Sequence, residues 1–452
     1  METAGLKATS SGANDVKLKA IGINSSKDFL YMLLMLVGSI PLSILLWISV
    51  WMPWLKMPEK GSVDLTLISY PLGIIMAGMY LVWVLYAILG LILKPKTARG
   101  SFNGKFSILI AAKDEENVIS ALINEVLHQT YRDFEVIVVC HNCQDRTYEV
   151  ASRFRDERVK VLEFVGKPGK SAALNYGVKY ASGDIIVVLD ADNHIPPDFL
   201  EKLSKYFPQY DAVQSLVETV NPNYNLLTKL ADLEFAVFTR SFQRSRSALG
   251  LNAALSGTGE AVKRKVLEEV GYWDEWALTE DLALFTKLSL AGYKIGWCQE
   301  TYVLDEKAPY WSIFARQRAR WLRGHIQVAI RYVKSCWRSP GILHLLISPI
   351  FVILGFSLTI TLWLTYLLQL PVSASFIPVY AWFIPWIIWD IAAAIHILKT
   401  RGLKALWLLP AFLIYLYHWF PAATLMWKTK VWTKTSHGFI EQQTAKIRIK
   451  SQ

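Results

Sequence analysis

The sequence predicts an α/β domain with a mostly parallel sheet, inserted between N-terminal and C-terminal groups of transmembrane helices. Three observations predict it. Uncharged apolar runs lie towards both ends of the 452-residue chain. Between them, short apolar strand patterns alternate with helical ones, as in layered α/β folds. Polar clusters fall where those strands end.

Phe29 to Trp51 is 23 residues without a charge, and Leu65 to Leu93 is 29 more. About 20 apolar residues suffice to cross a bilayer as a helix. Further apolar segments run from Gly341 to Pro371, Val379 to Leu398 and Ala405 to Trp427. The fourth carries Asp390 and His396, and the last is broken by Pro410 and Pro421, which suits a re-entrant or interfacial segment. The first run starts too late and extends too far for a cleaved signal peptide. The expected division is a cytosolic tail over 1–28, two transmembrane helices over 29–93 and a cytosolic domain over 94–310. Amphipathic interfacial helices follow over 311–338, then about three membrane segments over 339–427 and a basic tail over 428–452.

Lysine and arginine in the flanks set the orientation. Lys17, Lys19 and Lys27 precede the first run, and Lys94, Lys96, Arg99 and Lys105 follow the second. The chain is thus expected to be a multi-pass protein of the cell (plasma) membrane, in contact with lipids, with its polar domain in the cytosol. Lys399, Arg401 and Lys404 place the fourth-to-fifth connection inside as well. A full crossing by the fifth segment would put the basic tail outside; a partial one keeps it in the cytosol. The net charge of +11 is then a membrane signature. No nucleic-acid motif accompanies it, so nucleic acid is not an expected partner. Cys140 and Cys143 form a Cys-x-x-Cys without the second pair a zinc site usually needs, and cytosolic cysteines are expected as free thiols.

Within the central block, Phe106 to Ala112 is a strand pattern, followed by Asp114-Glu115-Glu116 and a helical run to His128. Phe134 to Cys140, Val159 to Phe164 and Ile185 to Leu189 are strands, separated by helices over Asp145 to Phe154 and Ala172 to Ala181. This order implies parallel strands with right-handed crossovers, and ligands gather at the carboxyl ends of such sheets. Asp114 to Glu116, His141 to Asp145 and Asp190 to Asp192 all fall there.

Asp190 and Asp192 follow the run Ile185 to Leu189. That spacing can aim two carboxylates at one hard cation, Mg2+ or Mn2+, shared with substrate phosphates. An ordinary turn has the same pattern. Gly166 to Asn175 lacks phosphate-loop spacing but can bring Lys170 and a helix N-terminus towards an anion. Thr279-Glu280-Asp281 opens a helix, with Thr279 as N-cap; capping and the helix dipole alone account for Glu280. Asp281 can in addition accept a proton from an attacking hydroxyl. Tyr310 to Arg323 is cationic and aromatic, suited to phosphates and sugar faces and equally to a membrane surface.

The ordered set Asp114-Glu115-Glu116, Asp145, Lys170, Asp190-Ala191-Asp192, Thr279-Glu280-Asp281 and Gln317-x-x-Arg320-Trp321 resembles the family 2 glycosyltransferases. The likeness is to the membrane-embedded synthases of cellulose, hyaluronan, chitin and poly-N-acetylglucosamine, and it spans Phe106 to Arg323. It implies a GT-A-like nucleotide-sugar glycosyltransferase domain and an inverting hexosyltransferase. Such an enzyme would extend a β-linked polysaccharide from a UDP-sugar and pass it through its own helices. By the same resemblance, Asp192 with Asp190 would hold the divalent cation and Asp281 would be the general base. Asp114, Glu115, Asp145, Lys170, Asp190, Gln317 and Arg320 would contact the donor, and Trp321, Glu280 and Gly257 the growing polysaccharide acceptor. Val431 to His437 is similar to the family's gating segment, and an accessory subunit or homo-oligomer is compatible with it. His141 stands where members often carry aspartate. Transfer of one sugar to a lipid is the alternative, since glucosylceramide synthases have a similar motif set.

Overall fold

The computed structural model describes residues 18–36, 63–64, 66–98, 100–336, 342, 346, 372–373 and 379–429. Most of the first and third apolar runs and the tail with its expected gating segment lie outside the described residues. Helix α1 (Thr66–Ile92) occupies the second run.

The central block then builds a seven-stranded sheet. Its elements are β1 (Phe106–Ala112), α2 (Ile119–Leu127), β2 (Phe134–His141), α3 (Thr147–Ala151), β3 (Val159–Phe164), α4 (Lys170–Gly177) and β4 (Ile185–Asp190). There follow α5 (Phe199–Ser204), β5 (Ala212–Thr219), α6 (Leu226–Glu234), α7 (Arg240–Leu249), β6 (Glu260–Lys263), α8 (Arg264–Glu269), α9 (Glu280–Leu290) and β7 (Ile295–Asp305). The strand order is β3-β2-β1-β4-β6-β5-β7; β6 runs antiparallel to both neighbours and every other adjacent pair is parallel. The four strands read from apolar patterning are present, in the alternating order expected.

Side chains alternate across the strands, so each one feeds two apolar layers. Phe106, Ile108 and Ile110 of β1 join Val136 and Val138 of β2 beneath α2 and α5. Leu109, Ile137, Val139, Ile186 and Val188 face the other way, towards Ala173 and Leu174 of α4 and Phe285 of α9. Two element boundaries differ from expectation. Helix α3 starts two residues after Asp145, because that carboxylate accepts the amides of Glu116 and Thr147 rather than entering the helix. Helix α4 begins at Lys170 and passes into a 3-10 turn, Val178–Tyr180.

Beyond the sheet run α10 (Trp311–Cys336), α11 (Val379–Arg401), α12 (Leu409–Tyr415) and α13 (Trp419–Met426). Among the described residues, the helical run Leu403–Met426 is long and apolar enough to cross a membrane, and α1 contains the shorter apolar stretch Tyr80–Ile92. The domain grips these helices through polar contacts. Arg244 Nε donates to the Leu93 carbonyl at 3.0 Å, and Arg401 pairs with Asp232 at 2.6 Å and Glu218 at 2.5 Å.

Arg318 of α10, 3% exposed, donates to Glu234 at 2.6 Å, and the Tyr415 hydroxyl donates to the same Glu234 oxygen at 2.6 Å. Burial alone would push the Glu234 carboxyl up; Arg318 reverses this and holds it below the usual range. Removing one partner of a buried ion pair strands the other charge. Arg318→Ala should therefore lower unfolding stability by about 3 kcal/mol, read by thermal unfolding of the detergent-solubilised protein, whereas a loss under about 0.5 kcal/mol would mean the pair is solvated.

Candidate active site

Asp190 is the last residue of β4 and Lys170 the first of α4, so the sheet brings both to its carboxyl edge. The Lys170 ammonium is almost fully buried. It pairs with Asp190 Oδ1, donates to the Gly257 carbonyl at 2.7 Å and lies 3.8 Å from Glu280 Oε1. Burial pulls its proton affinity down, but Asp190 and Glu280 more than reverse that, so Lys170 remains a cation.

The loop 256–259 is fastened from below. Gln214 accepts the Ser256 amide at 2.8 Å and donates to the Thr258 carbonyl at 2.9 Å. Asn193 accepts from the Asp190 amide at 2.8 Å and from the Thr258 hydroxyl. Gly257 takes φ +76°, a region that favours glycine, and a Cβ there would sit 3.5 Å from Asp281 Oδ2. The loop backbone therefore lies directly against the expected base.

Asp281 is half-buried in the first turn of α9, where its Oδ1 accepts the Leu282 amide at 2.8 Å. Burial pushes its carboxyl up, opposed by that amide and by Lys170 and Arg320. Glu280 is buried and also shifted up, by burial first, against the pull of Lys170. Thr279 stands at the N-cap position but makes no capping bond; its side chain abuts Gly324 of α10 instead. Two further contacts brace this turn from α10. Arg320 donates to the Leu278 carbonyl at 3.2 Å, and Gln327 accepts the Leu278 amide at 3.3 Å. On the same helix, Trp321 stacks 4.2 Å from the Arg318 guanidinium, and Gln317 is half-buried.

One strand over, a second cluster occupies the same edge. Asp114, at φ +54°, accepts the Gln144 amide at 2.6 Å, and the Glu115 amide donates to Thr147 at 2.7 Å. Asp145 braces the two loops through the amides of Glu116 and Thr147. Among the described residues, candidate metal-ligating atoms of Asp114, Cys143 and Asp145 lie within 4.8 Å of one another. All four cysteines are free. His141 is buried and stacks at 5.0 Å on Phe164, which stacks at 4.4 Å on Tyr176. Burial and Lys113 lower its pKa, so its imidazole is neutral at pH 7.

The structure thus gathers Lys170, Asp190, Gly257, Glu280, Asp281 and Arg320 at one place, with buried Asp192 two residues beyond Asp190. Asp114, Glu115 and Asp145 stand beside them. Asn193, Gln214 and Glu260 belong to the same assembly and were not singled out by the sequence. Glu260 opens a four-residue strand with Lys263 at its other end, too short and too polar for patterning to mark.

A Cβ on Gly324 would meet the Thr279 methyl at 2.5 Å and its Cβ at 3.0 Å, so α10 or the turn must move. Gly324→Ala should lower turnover at least tenfold while nucleotide binding changes less than threefold, measured by initial rates and calorimetry; unchanged turnover would mean the α10 brace is idle.

Comparison with known proteins identifies the domain that carries these residues. The profile "Glycosyltransferase like family 2" matches residues 103–324. A β-monoglucosyldiacylglycerol synthase from Synechocystis sp. is 31% identical over 283 residues, covering 58% of this chain and 58% of its own length. A poly-β-1,6-N-acetyl-D-glucosamine synthase from Staphylococcus epidermidis is 29% identical over 236 residues, covering 50% of this chain and 55% of its own. The chain thus spans little more than half the length of these relatives. The fold is shared with a mannosyltransferase from Pyrobaculum calidifontis, solved with GDP-Man and Mn2+, at a TM-score of 0.51 and 18% identity over 79% of this chain and 98% of that one. Residues 103–324 of this chain are a family 2 glycosyltransferase domain with the GT-A-like α/β fold.

Proposed function

We propose that the chain is an inverting hexosyltransferase that polymerises a β-linked polysaccharide from a UDP-sugar at the cytosolic membrane face and passes it through its own helices. The observation that carries the transfer chemistry is the meeting of Asp281 with Lys170, Asp190 and Arg320 at one sheet edge. The acceptor hydroxyl oxygen attacks the anomeric carbon as the bond to the nucleoside diphosphate breaks. Asp281 takes the hydroxyl proton, and its upward-shifted carboxyl suits a base working near neutral pH. Lys170 and Arg320 supply positive charge where the diphosphate leaves.

The donor set also fits a divalent cation. Asp190 and Asp192 offer hard oxygen ligands, and around Lys170 the carboxylates Asp190, Glu280 and Asp281 outnumber the two cations Lys170 and Arg320. When bound, Mg2+ or Mn2+ would neutralise the donor diphosphate.

A multi-pass arrangement is supported by α1 and α11. At about 1.5 Å per residue, their 27 and 23 residues reach about 40 Å and about 35 Å, enough for a hydrocarbon core of about 30 Å. Their C-terminal ends bond to the catalytic domain through Arg244 and Arg401, and Val63–Asp64 pairs with Val372–Ser373 just before their N-terminal ends. Both helices therefore leave the domain in the same sense.

A second reading, transfer of one sugar to a lipid, is favoured by the length of the match to the glucosyldiacylglycerol synthase, 283 residues against 236. Incubating purified protein with a panel of UDP-sugars and measuring UDP release and product size separates the two. A high-molecular-weight, glycanase-sensitive product supports polymerisation, and a single-sugar lipid excludes it.

Asp281→Asn should cut turnover by roughly 10^3-fold with donor binding retained, because the proton acceptor alone is lost. Undiminished turnover would remove the base assignment. Asp192→Asn should weaken Mg2+- or Mn2+-dependent donor binding in calorimetry; an unaltered metal dependence would remove the ligand assignment.

A further inference from the structure

Glu260 is a carboxyl group in this site that the proposed reaction does not employ. It lies on β6, paired with Val188 of β4 and Gln214 of β5, and is 0% exposed. Its Oε2 accepts the Gly257 amide at 3.3 Å, and its Oε1 is buried without a hydrogen-bond partner. The Gly257 residue links three groups: its amide meets Glu260, its carbonyl meets Lys170, and its α-carbon faces Asp281.

The charges around Glu260 come from two helices. Asp281 and Glu280 face it from α9 and Lys170 from α4; its strand partners Val188 and Gln214 are uncharged. Arg320 of α10 acts on Glu280 and Asp281. Carboxylates packed this closely in a low dielectric do not all ionise, and the proton settles where an anion is least supported. Asp190 has Lys170 against it, Glu280 has Lys170 and Arg320, and Asp281 has the Leu282 amide at 2.8 Å. Glu260 has one longer bond from an amide, and an oxygen with nothing.

We propose that Glu260 is a positioning residue for the base: it retains a proton behind Asp281, so that the carboxylate cluster leaves Asp281 ionised to receive the acceptor's proton. In each turnover Glu260 keeps its proton and Asp281 takes the one released by the hydroxyl. Burial first, and then Asp281, push the Glu260 carboxyl up to about 8. Its loss of a proton above that pH adds an anion beside Lys170, opposing both the diphosphate and the ionisation of Asp281.

This inference rests on Asp281 being the base, and the experiment separates the two. The pH dependence of kcat/KM is measured from about pH 6 to about pH 10 for the full chain, Glu260→Gln and Asp281→Asn, with UDP release as the readout at saturating Mg2+ or Mn2+. The wild type should lose activity along an alkaline limb centred near pH 8. Glu260→Gln, neutral at every pH, should shift that limb upward by at least about one pH unit, a change that a merely structural role would not produce. Asp281→Asn should lose turnover at all pH values. A limb unchanged in Glu260→Gln overturns the inference. If that variant does not fold, a wild-type profile that rises without a limb to about pH 10 overturns it equally. Full turnover by Asp281→Asn would instead overturn the base assignment itself.

Discussion

The Lys170 ammonium is the interaction on which the site depends. It is buried between Asp190 and Glu280 and donates to the Gly257 carbonyl, so one side chain joins the end of β4, the loop before β6 and the start of α9. These segments are far apart in sequence and each carries a carboxylate or a peptide dipole pointed inward. Without a central cation their anions would repel one another in a poorly solvated space, where effective dielectric screening is weak. With it, the acidic groups hold together in a shape that has negative charge to spare for a divalent cation.

Helix α10 carries this arrangement to the apolar C-terminal helices. One face of it touches the turn before Asp281 through Arg320, Gly324 and Gln327. The other face grips the apolar C-terminal helices. Arg318 pairs with Glu234 beside Tyr415, and Arg323 donates to the Met426 carbonyl at 3.0 Å at the end of α13. A displacement of the C-terminal helices therefore has a short mechanical route to Asp281. The Gln317-x-x-Arg320-Trp321 sequence sits at the middle of that route, which accounts for its mixture of cationic, polar and aromatic groups.

Much of this was legible in the sequence, and the reasons for the rest are physical. Strands β1, β2 and β4 are largely apolar runs of six to eight residues buried on both faces, and the edge strand β3 sets Val159, Val161, Leu162 and Phe164 among the exposed Lys160 and Glu163, so patterning alone reveals them. Strand β6 has four residues, one of them Glu260, and no periodicity marks so short a segment. The positions of Asp190, Lys170 and Asp281 followed from strand ends and helix starts. Their mutual contacts did not, because those depend on strand order, with β6 inserted antiparallel between β4 and β5. Thr279 matched a capping pattern, yet its side chain packs on Gly324. There a tertiary neighbour took the group that a local rule had assigned elsewhere.

The proposed transfer is a single displacement at the anomeric carbon, with Asp281 as its base. The most direct test is the anomeric configuration of the first linkage formed from an α-configured UDP-sugar, read by proton NMR of the isolated product. Inversion produces a β linkage. An α linkage would mean retention, and would contradict both the displacement and the role of Asp281.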